Sequence, residues 1–283
     1  MAYLISDAHT ALAYRLGESA TPTASSELAR RLSSFKQAIS RTAGDGRLWW
    51  FMQKLTTDAT VAYRKSYDLP TRCRVIQQLK IDDYKYKEIE QSDVYGQYES
   101  VLGPVPILSS FQDRAFYQWD DQYYPIPIPD AAPTAISVST LTSSGTTATC
   151  TTTDDHGWQS DDYVTIAGAT PSAYNGTFQI TKTGADTFTY TLASDPADTT
   201  TGTITATKNN IEIWYWETPS LPTATTDPIV VPDDYLDMIV AYAEGRYWST
   251  AHKRGKAADA FAEFESLFQR MKDENERRKF LAI

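Results

Sequence analysis

The sequence predicts an α+β fold: a helical bundle drawn from both chain ends plus a small antiparallel β-sheet, with a separate all-β domain inserted into it. Three observations predict this. Composition breaks near residue 131, turning Thr-, Ser- and Gly-rich, and charged, aromatic sequence resumes near residue 208. Apolar residues recur at helical spacing near both ends of the chain, and alternate with polar ones in between. Between Ala131 and Thr207 one lysine, Lys182, stands against seven aspartates, six of the chain's ten net negative charges. Residues 1–130 therefore read as the first half of a host domain, 131–207 as an insert and 208–283 as the second half.

The 283 residues have room for roughly two domains. With 41% apolar and 12% aromatic residues the chain can bury real cores. It holds no run of eighteen apolar residues, so no membrane span is expected. Nor does Met1–Gly17 carry the basic leader and apolar centre of a signal peptide. The two cysteines, Cys73 and Cys150, fall in host and insert, too few for a disulfide framework. A net charge of −10 argues against a nucleic-acid-binding surface, yet suits a surface past which nucleic acid slides.

In the first half, Ser6–Gly17 predicts a short helix with Ala8, Leu12 and Leu16 on one side and Ser6 or Asp7 as cap. After Pro22, Ser25 and Ser26 cap a second helix whose Leu28, Leu32, Phe35 and Ile39 share one stripe. Arg30, Arg31 and Lys36 fall largely off that stripe, and Gly44 is a stop. The period then drops to two. Val75, Leu79 and Ile81 alternate with polar neighbours, Asp82-Asp83 supplies a turn, and Tyr84–Ile89 alternates again as a hairpin partner. Phe116–Trp119 and Tyr123–Ile128 are extended, the latter placed near a sheet edge by Pro125 and Pro127.

In the second half, Ile211–Trp216 reads as a strand, expected to pair with Tyr123–Ile128 in a hairpin whose loop carries the insert. Prolines 219, 222, 228 and 232 follow as a stiff linker. Pro232-Asp233-Asp234 then opens a helix with Tyr235, Ile239, Tyr242 and Arg246 in one row. A last helix, about Gly255 to Lys279, spaces Ala257, Phe261, Phe264, Phe268 and Met271 as a stripe and ends in the charged run Lys272–Lys279.

The insert holds five or more short β-branched or aromatic segments separated by turn residues, which implies a small antiparallel sandwich or barrel. Its order His156-Gly157, Asp162–Ala169, Tyr174–Phe178, Thr187–Tyr190 resembles the immunoglobulin-like β-modules of tailed-bacteriophage structural proteins. That resemblance implies a sandwich.

Sites of chemistry are scarce in the pattern. His9, His156 and His252 are isolated, without metal-ligand spacing, and no phosphate loop or nucleophile elbow occurs. Asp154-Asp155-His156 reads as a polar turn before it reads as a cation site. Trp49-Trp50-Phe51 and Trp214-Tyr215-Trp216 suit a core or subunit interface better than sugar stacking. No catalytic, cofactor or metal residue is nominated.

The host resembles the head-to-tail adaptor proteins of tailed bacteriophages in Trp49-Trp50-Phe51, in the Ser66–Pro70 turn, and in Ile211–Trp216 with its Pro-rich linker. Val231–Tyr235 opening paired terminal helices completes the likeness. The resemblance implies a non-enzymatic virion protein, made in the host cytoplasm. It would form a twelve-subunit ring, with the portal on one side, a tail component on the other, and genomic DNA passing through without sequence-specific binding. Tyr235, Ile239, Tyr242, Phe261, Phe264, Phe268, Arg277, Arg278 and Lys279 are then the candidate portal or subunit interface. A carbohydrate-binding tail accessory, a ring elsewhere in the tail tube and a hydrolase are the competing expectations.

Overall fold

A computed structural model describes residues 3–18, 25–91, 114–196 and 200–281. The chain folds into two compact units. One comprises Met1–Lys54, Arg72–Val75 and Trp216–Ile283; the other comprises Leu55–Thr71 and Ile76–Tyr215.

Among the described residues the first unit carries four α-helices: α1 (Ile5–Leu16), α2 (Ser25–Thr42), α3 (Leu236–Thr250) and α4 (Arg254–Leu281). At the start of α1 the Asp7 carboxylate accepts the Leu4 backbone N–H at 2.8 Å. Asp7 thus caps from inside the first turn, and neither Ser6 nor Asp7 is the cap residue itself. Gly17 ends the helix with φ of 69°, a left-handed position where glycine carries no Cβ penalty. Pro22 lies outside the described residues.

The buried face of α2 is rotated from the stripe expected. Arg31, Ser34, Phe35, Ala38, Ile39 and Thr42 point inward, whereas Leu28 and Leu32 are only half-buried. Thr42 satisfies its hydroxyl by donating to the Ala38 carbonyl at 2.9 Å, and Arg31 is held by two carboxylates. Polar side chains with local partners can occupy an inward face, and an apolar tally cannot detect them.

Helix α3 is buried nearly all round, from Met238 through Ala243 and again at Gly245 and Trp248. It packs against α1, α2 and α4 and forms the centre of the unit. Gly245 allows close approach, since a Cβ there would stand 2.8 Å from the Phe261 ring. The proline linker pairs with the chain start: Ile5 N–H donates to Asp227 O, Ser6 N–H to Thr225 O, and Ile229 N–H to Tyr3 O. Asp227 closes the linker's turn by accepting the Thr223 and Ala224 N–H groups, and these bonds hold its carboxyl below the usual range.

The strands are β1 (Gln53–Asp58), β2 (Tyr67–Asp68), β3 (Cys73–Ile81), β4 (Tyr84–Glu88), β5 (Ala115–Trp119), β6 (Gln122–Ile126) and β7 (Ile136–Ser144). They continue with β8 (Thr147–Thr152), β9 (Tyr163–Ala167), β10 (Gly176–Lys182), β11 (Thr187–Thr191), β12 (Thr205–Lys208) and β13 (Ile211–Glu217). Seven of them make one sheet in the order β1-β13-β3-β4-β5-β6-β2; the other six close a barrel, β10-β11-β8-β7-β12-β9.

This overturns the predicted fold class. The sheet is larger than the small antiparallel one expected and is mixed, because β4 and β5 run parallel. The hairpin across the insert does not form either: β6 pairs with β5 and β2, while β13 lies between β1 and β3. The hairpin of β3 and β4 around Asp82-Asp83 is present, with Leu79 opposite Tyr86.

The insert is a closed barrel, not an immunoglobulin-like sandwich. β7 pairs with both β8 and β12, and β10 with both β9 and β11, so the two would-be sheets join into one ring with no free edge. Sequence pattern missed β7 because a bulge between Val138 and Thr140 breaks its period of two. Leu141, Cys150, Val164, Ile166, Tyr174, Ile180, Phe188 and Tyr190 fill the interior.

Within the second unit, Asn209 and Asn210 join barrel to sheet. Asn209 accepts from Thr165 Oγ1 at 2.8 Å and donates to Thr57 Oγ1 at 3.2 Å. Asn210 donates to Thr60 Oγ1 and to Asp82 Oδ1, both at 2.8 Å, and accepts the Thr60 N–H.

Candidate functional site: the terminal helix pair

Helices α3 and α4, with Tyr235 at the N-cap of α3, hold every residue nominated from sequence, and the structure divides the nominees. Tyr235, Ile239, Tyr242, Phe264 and Phe268 lie in the core of the helical unit, and Phe261 is half-buried against it. Tyr242 meets the Phe264 ring edge-on at 5.1 Å, and Phe264 stacks on Phe268 at 5.8 Å. These side chains are therefore occupied by internal packing, and presenting them to a partner would require opening the unit. Arg277 and Arg278 are exposed on the last turns of α4. The side chain of Lys279 lies outside the described residues.

The charged end of α4 is anchored more firmly than its composition implied. Asn275, 1% exposed, clamps the segment before β1: its Oδ1 accepts the Trp50 N–H at 3.1 Å and its Nδ2 donates to the Leu48 carbonyl at 3.2 Å. Trp49 is buried beside it, 6.1 Å from the Phe268 ring. The Tyr235 hydroxyl donates to Glu274 Oε2 at 2.6 Å, while Arg278 donates to Glu274 Oε1 and places its guanidinium 4.9 Å from the Trp50 ring. The hydrogen bond from Tyr235, ahead of the Arg278 charge, holds the Glu274 carboxyl below its ordinary range. The charged run is thus tied to the core along one side, while Asp273, Glu276, Arg277 and Arg278 stay exposed. The signal that would have revealed it is Asn275, an amide four residues after Met271 on the apolar row.

A second tie crosses the unit. Arg15 donates in bidentate fashion to Glu263, both bonds at 2.9 Å, and also reaches Asp237 at 3.3 Å and Glu244 at 3.5 Å. That cluster links α1 to α3 and α4 and raises the Arg15 pKa further above its ordinary value.

Of the other reactive side chains named from sequence, His252 is exposed, His156 is engaged and both cysteines are desolvated. His156 Nδ1 accepts the Trp158 N–H at 3.0 Å, and the two rings stack at 4.9 Å, so the Asp154-Asp155-His156 turn uses its imidazole structurally. Burial pushes the Cys73 thiol up to about 11 and the Cys150 thiol to about 12, which leaves neither a thiolate at neutral pH. Lys80 rests 4.5 Å from the Trp214 ring, which covers that aromatic face. Among the described residues no helix is long and apolar enough to cross a membrane, and no cluster of three His, Cys, Asp or Glu side chains suits a metal ion.

No protein-family model and no curated protein sequence matches the chain.

Proposed function

We propose that this protein is a structural subunit of a tailed-bacteriophage virion, a head-to-tail adaptor that assembles as a ring between portal and tail. The observation that carries the reading is the shared core of the helical unit. Trp49–Phe51, Val231–Tyr235 and the terminal helix pair bear the sequence resemblance from widely separated parts of the chain, and they pack on one another there. A ring subunit needs a rigid element with charged side chains presented outward, and the anchored end of α4 with Arg277 and Arg278 meets that need. The net charge of −10 adds a physical rationale for a DNA conduit, because like charge repels phosphate and keeps the genome from sticking.

The decisive experiment is a reconstruction of the particles that contain this chain. A ring between portal and tail is expected; density at a fibre or on the capsid surface would overturn the adaptor reading. The portal contact is tested separately by Arg277→Glu. Removing residues 273–283 is unsuitable, since it would delete the Asn275 clamp. Arg277 is exposed and bonds only the Asp273 carbonyl among the described residues, so the variant should melt like the parent and fail to dock. Normal docking of Arg277→Glu refutes a portal contact at this helix end.

A further inference from the structure

The turn between α3 and α4 is basic in an acidic chain. Between Glu244 and Asp259 no carboxylate occurs, while Arg246, Lys253, Arg254 and Lys256 bring four cations. All four are exposed, and none is in an ion pair among the described residues. Backbone bonds hold the turn rigid: the Lys253 N–H donates to the Trp248 carbonyl at 2.9 Å and the Ala251 N–H to the Tyr247 carbonyl at 3.0 Å. Lys253 and Lys256 rest 4.9 and 4.4 Å from the Trp248 ring. The end of α3 favours positive charge, but Arg254 and Lys256 stand in the first turn of α4, where the helix dipole opposes it. Stability of the helix pair does not account for this cluster.

A patch of the opposite sign lies at one end of the barrel. There the loop of residues 153–162 runs along the β10–β11 hairpin: the His156 N–H donates to Ala185 O at 3.2 Å, the Asp161 N–H to Ile180 O at 2.9 Å, and the Lys182 N–H to Ser160 Oγ at 3.0 Å. This arrangement gathers Asp154, Asp155, Asp161 and Asp186. The first three are exposed, Asp186 is half-buried, and none is in an ion pair among the described residues. Asp154 accepts only the Thr153 hydroxyl and Asp161 the Gln179 amide, neutral donors that leave the charge in place. Lys182 offsets one carboxylate, and Lys208 is taken up by Asp162 at 2.9 Å.

We propose that the two patches recognise each other between copies of this chain: the basic turn of one molecule docks on the acidic barrel end of the next. A contact between two different surfaces is heterologous, the kind that closes rings, and matched potentials across it set approach and register. Nucleic acid is the poorer occupant, because its sites are basic stripes on basic domains, whereas four cations on one turn belong here to a chain of net charge −10. The inference rests on the self-assembly in the adaptor reading, not on the place of the ring in a virion.

The test is sedimentation velocity of the full chain at about 0.01 M and about 1 M salt, between which the screening length falls from about 30 Å to about 3 Å. Self-association at low salt that weakens at high salt is expected. Arg246→Glu with Arg254→Glu, and separately Asp154→Lys with Asp155→Lys, should each weaken it about tenfold or more. All four side chains are exposed, so both variants should melt like the parent. A chain carrying all four reversals should associate again, a rescue that general damage to the fold would not allow. A parent that stays monomeric at low salt overturns the proposal, as does undiminished association of either variant or failure of the rescue. Binding of a random-sequence DNA duplex that Arg246→Glu with Arg254→Glu abolishes, in place of self-association, also overturns it. A ring between portal and tail that closes through other faces sinks this contact and leaves the adaptor reading standing; density at a fibre does the reverse.

Discussion

Between Ile136 and Lys208 the barrel holds its strands by backbone ladders that close into a ring around a core of aliphatic and aromatic side chains, with Lys208–Asp162 as a supporting ion pair. The helical unit joins its elements through side chains instead: Arg15 to Glu263, Arg31 to Glu18 and Glu27, Asn275 to the Leu48 and Trp50 backbone. A helix satisfies its own backbone and has only side chains with which to address a neighbour, whereas a closed barrel spends its backbone groups on neighbouring strands. The barrel should therefore be indifferent to pH and salt, and the helical unit sensitive to both.

The largest expected effects come from the two cores. Phe188→Ala in the barrel and Phe264→Ala in the helical unit should each cost about 3–5 kcal/mol, the range for deleting a buried aromatic ring. Both rings are fully buried. Amide exchange followed peptide by peptide should lose protection in 136–208 for the first and in the helices for the second. If both regions lose protection together for either substitution, the contrast between them is broken.

Backbone geometry is tested next. Gly168 has φ of +83°, and a Cβ there would run into the Thr203 carbonyl oxygen. Gly168→Ala should destabilise the barrel by about 3 kcal/mol, combining left-handed strain with that clash; an unchanged urea midpoint for barrel exchange would count against the loop geometry. The helical counterpart is Asn275→Ala. It leaves the Trp50 N–H and the Leu48 carbonyl without partners, which should cost about 2 kcal/mol. The check is the 222 nm melting curve, and a shift confined to barrel peptides would contradict the clamp.

The smallest effect separates the two units by pH. His9 is buried with both ring nitrogens unpartnered and its ring edge-on to Phe35. Burial lowers its pKa below the ordinary value of 6.5. The unfolded chain thus binds a proton more readily than the folded one. Stability is complete above the unfolded value and is lost as pH falls from there through the folded value. Urea midpoints of the helical unit should decline between pH 7 and 5, and His9→Leu should flatten the decline. An equal decline in the barrel would refute the assignment.

Much of the candidate site was legible in the sequence because helical spacing reports burial directly. Phe264, Phe268 and Met271 fall on one row, and that row is the buried one. Their use was not legible: the same stripe serves a core or an interface, and only the presence of α3 and Trp49 against it decides between them. Arg31 escaped notice for the opposite reason, since a charged residue is assigned to solvent unless its partners are known, and Glu18 lies thirteen residues away. The doublet Asn209-Asn210 was likewise visible only as a break between strands, although it fastens two β structures together.

What the sequence by itself determined is local: where the composition breaks, the C-terminal ends of α1 and α2, the β3–β4 hairpin, and the β-branched segments between residues 146 and 206. Propensity, capping and turn chemistry act within a few residues, so these features are written where they occur. Strand order was decided by the tertiary structure. β13 inserts between β1 and β3, β4 meets β5 in parallel, and the bulged β7 bridges two sheets to close the barrel. An extended strand has two equivalent edges and its side-chain period does not say what lies beyond either one; the choice falls to whichever set of pairings leaves the fewest edges open and the apolar faces covered.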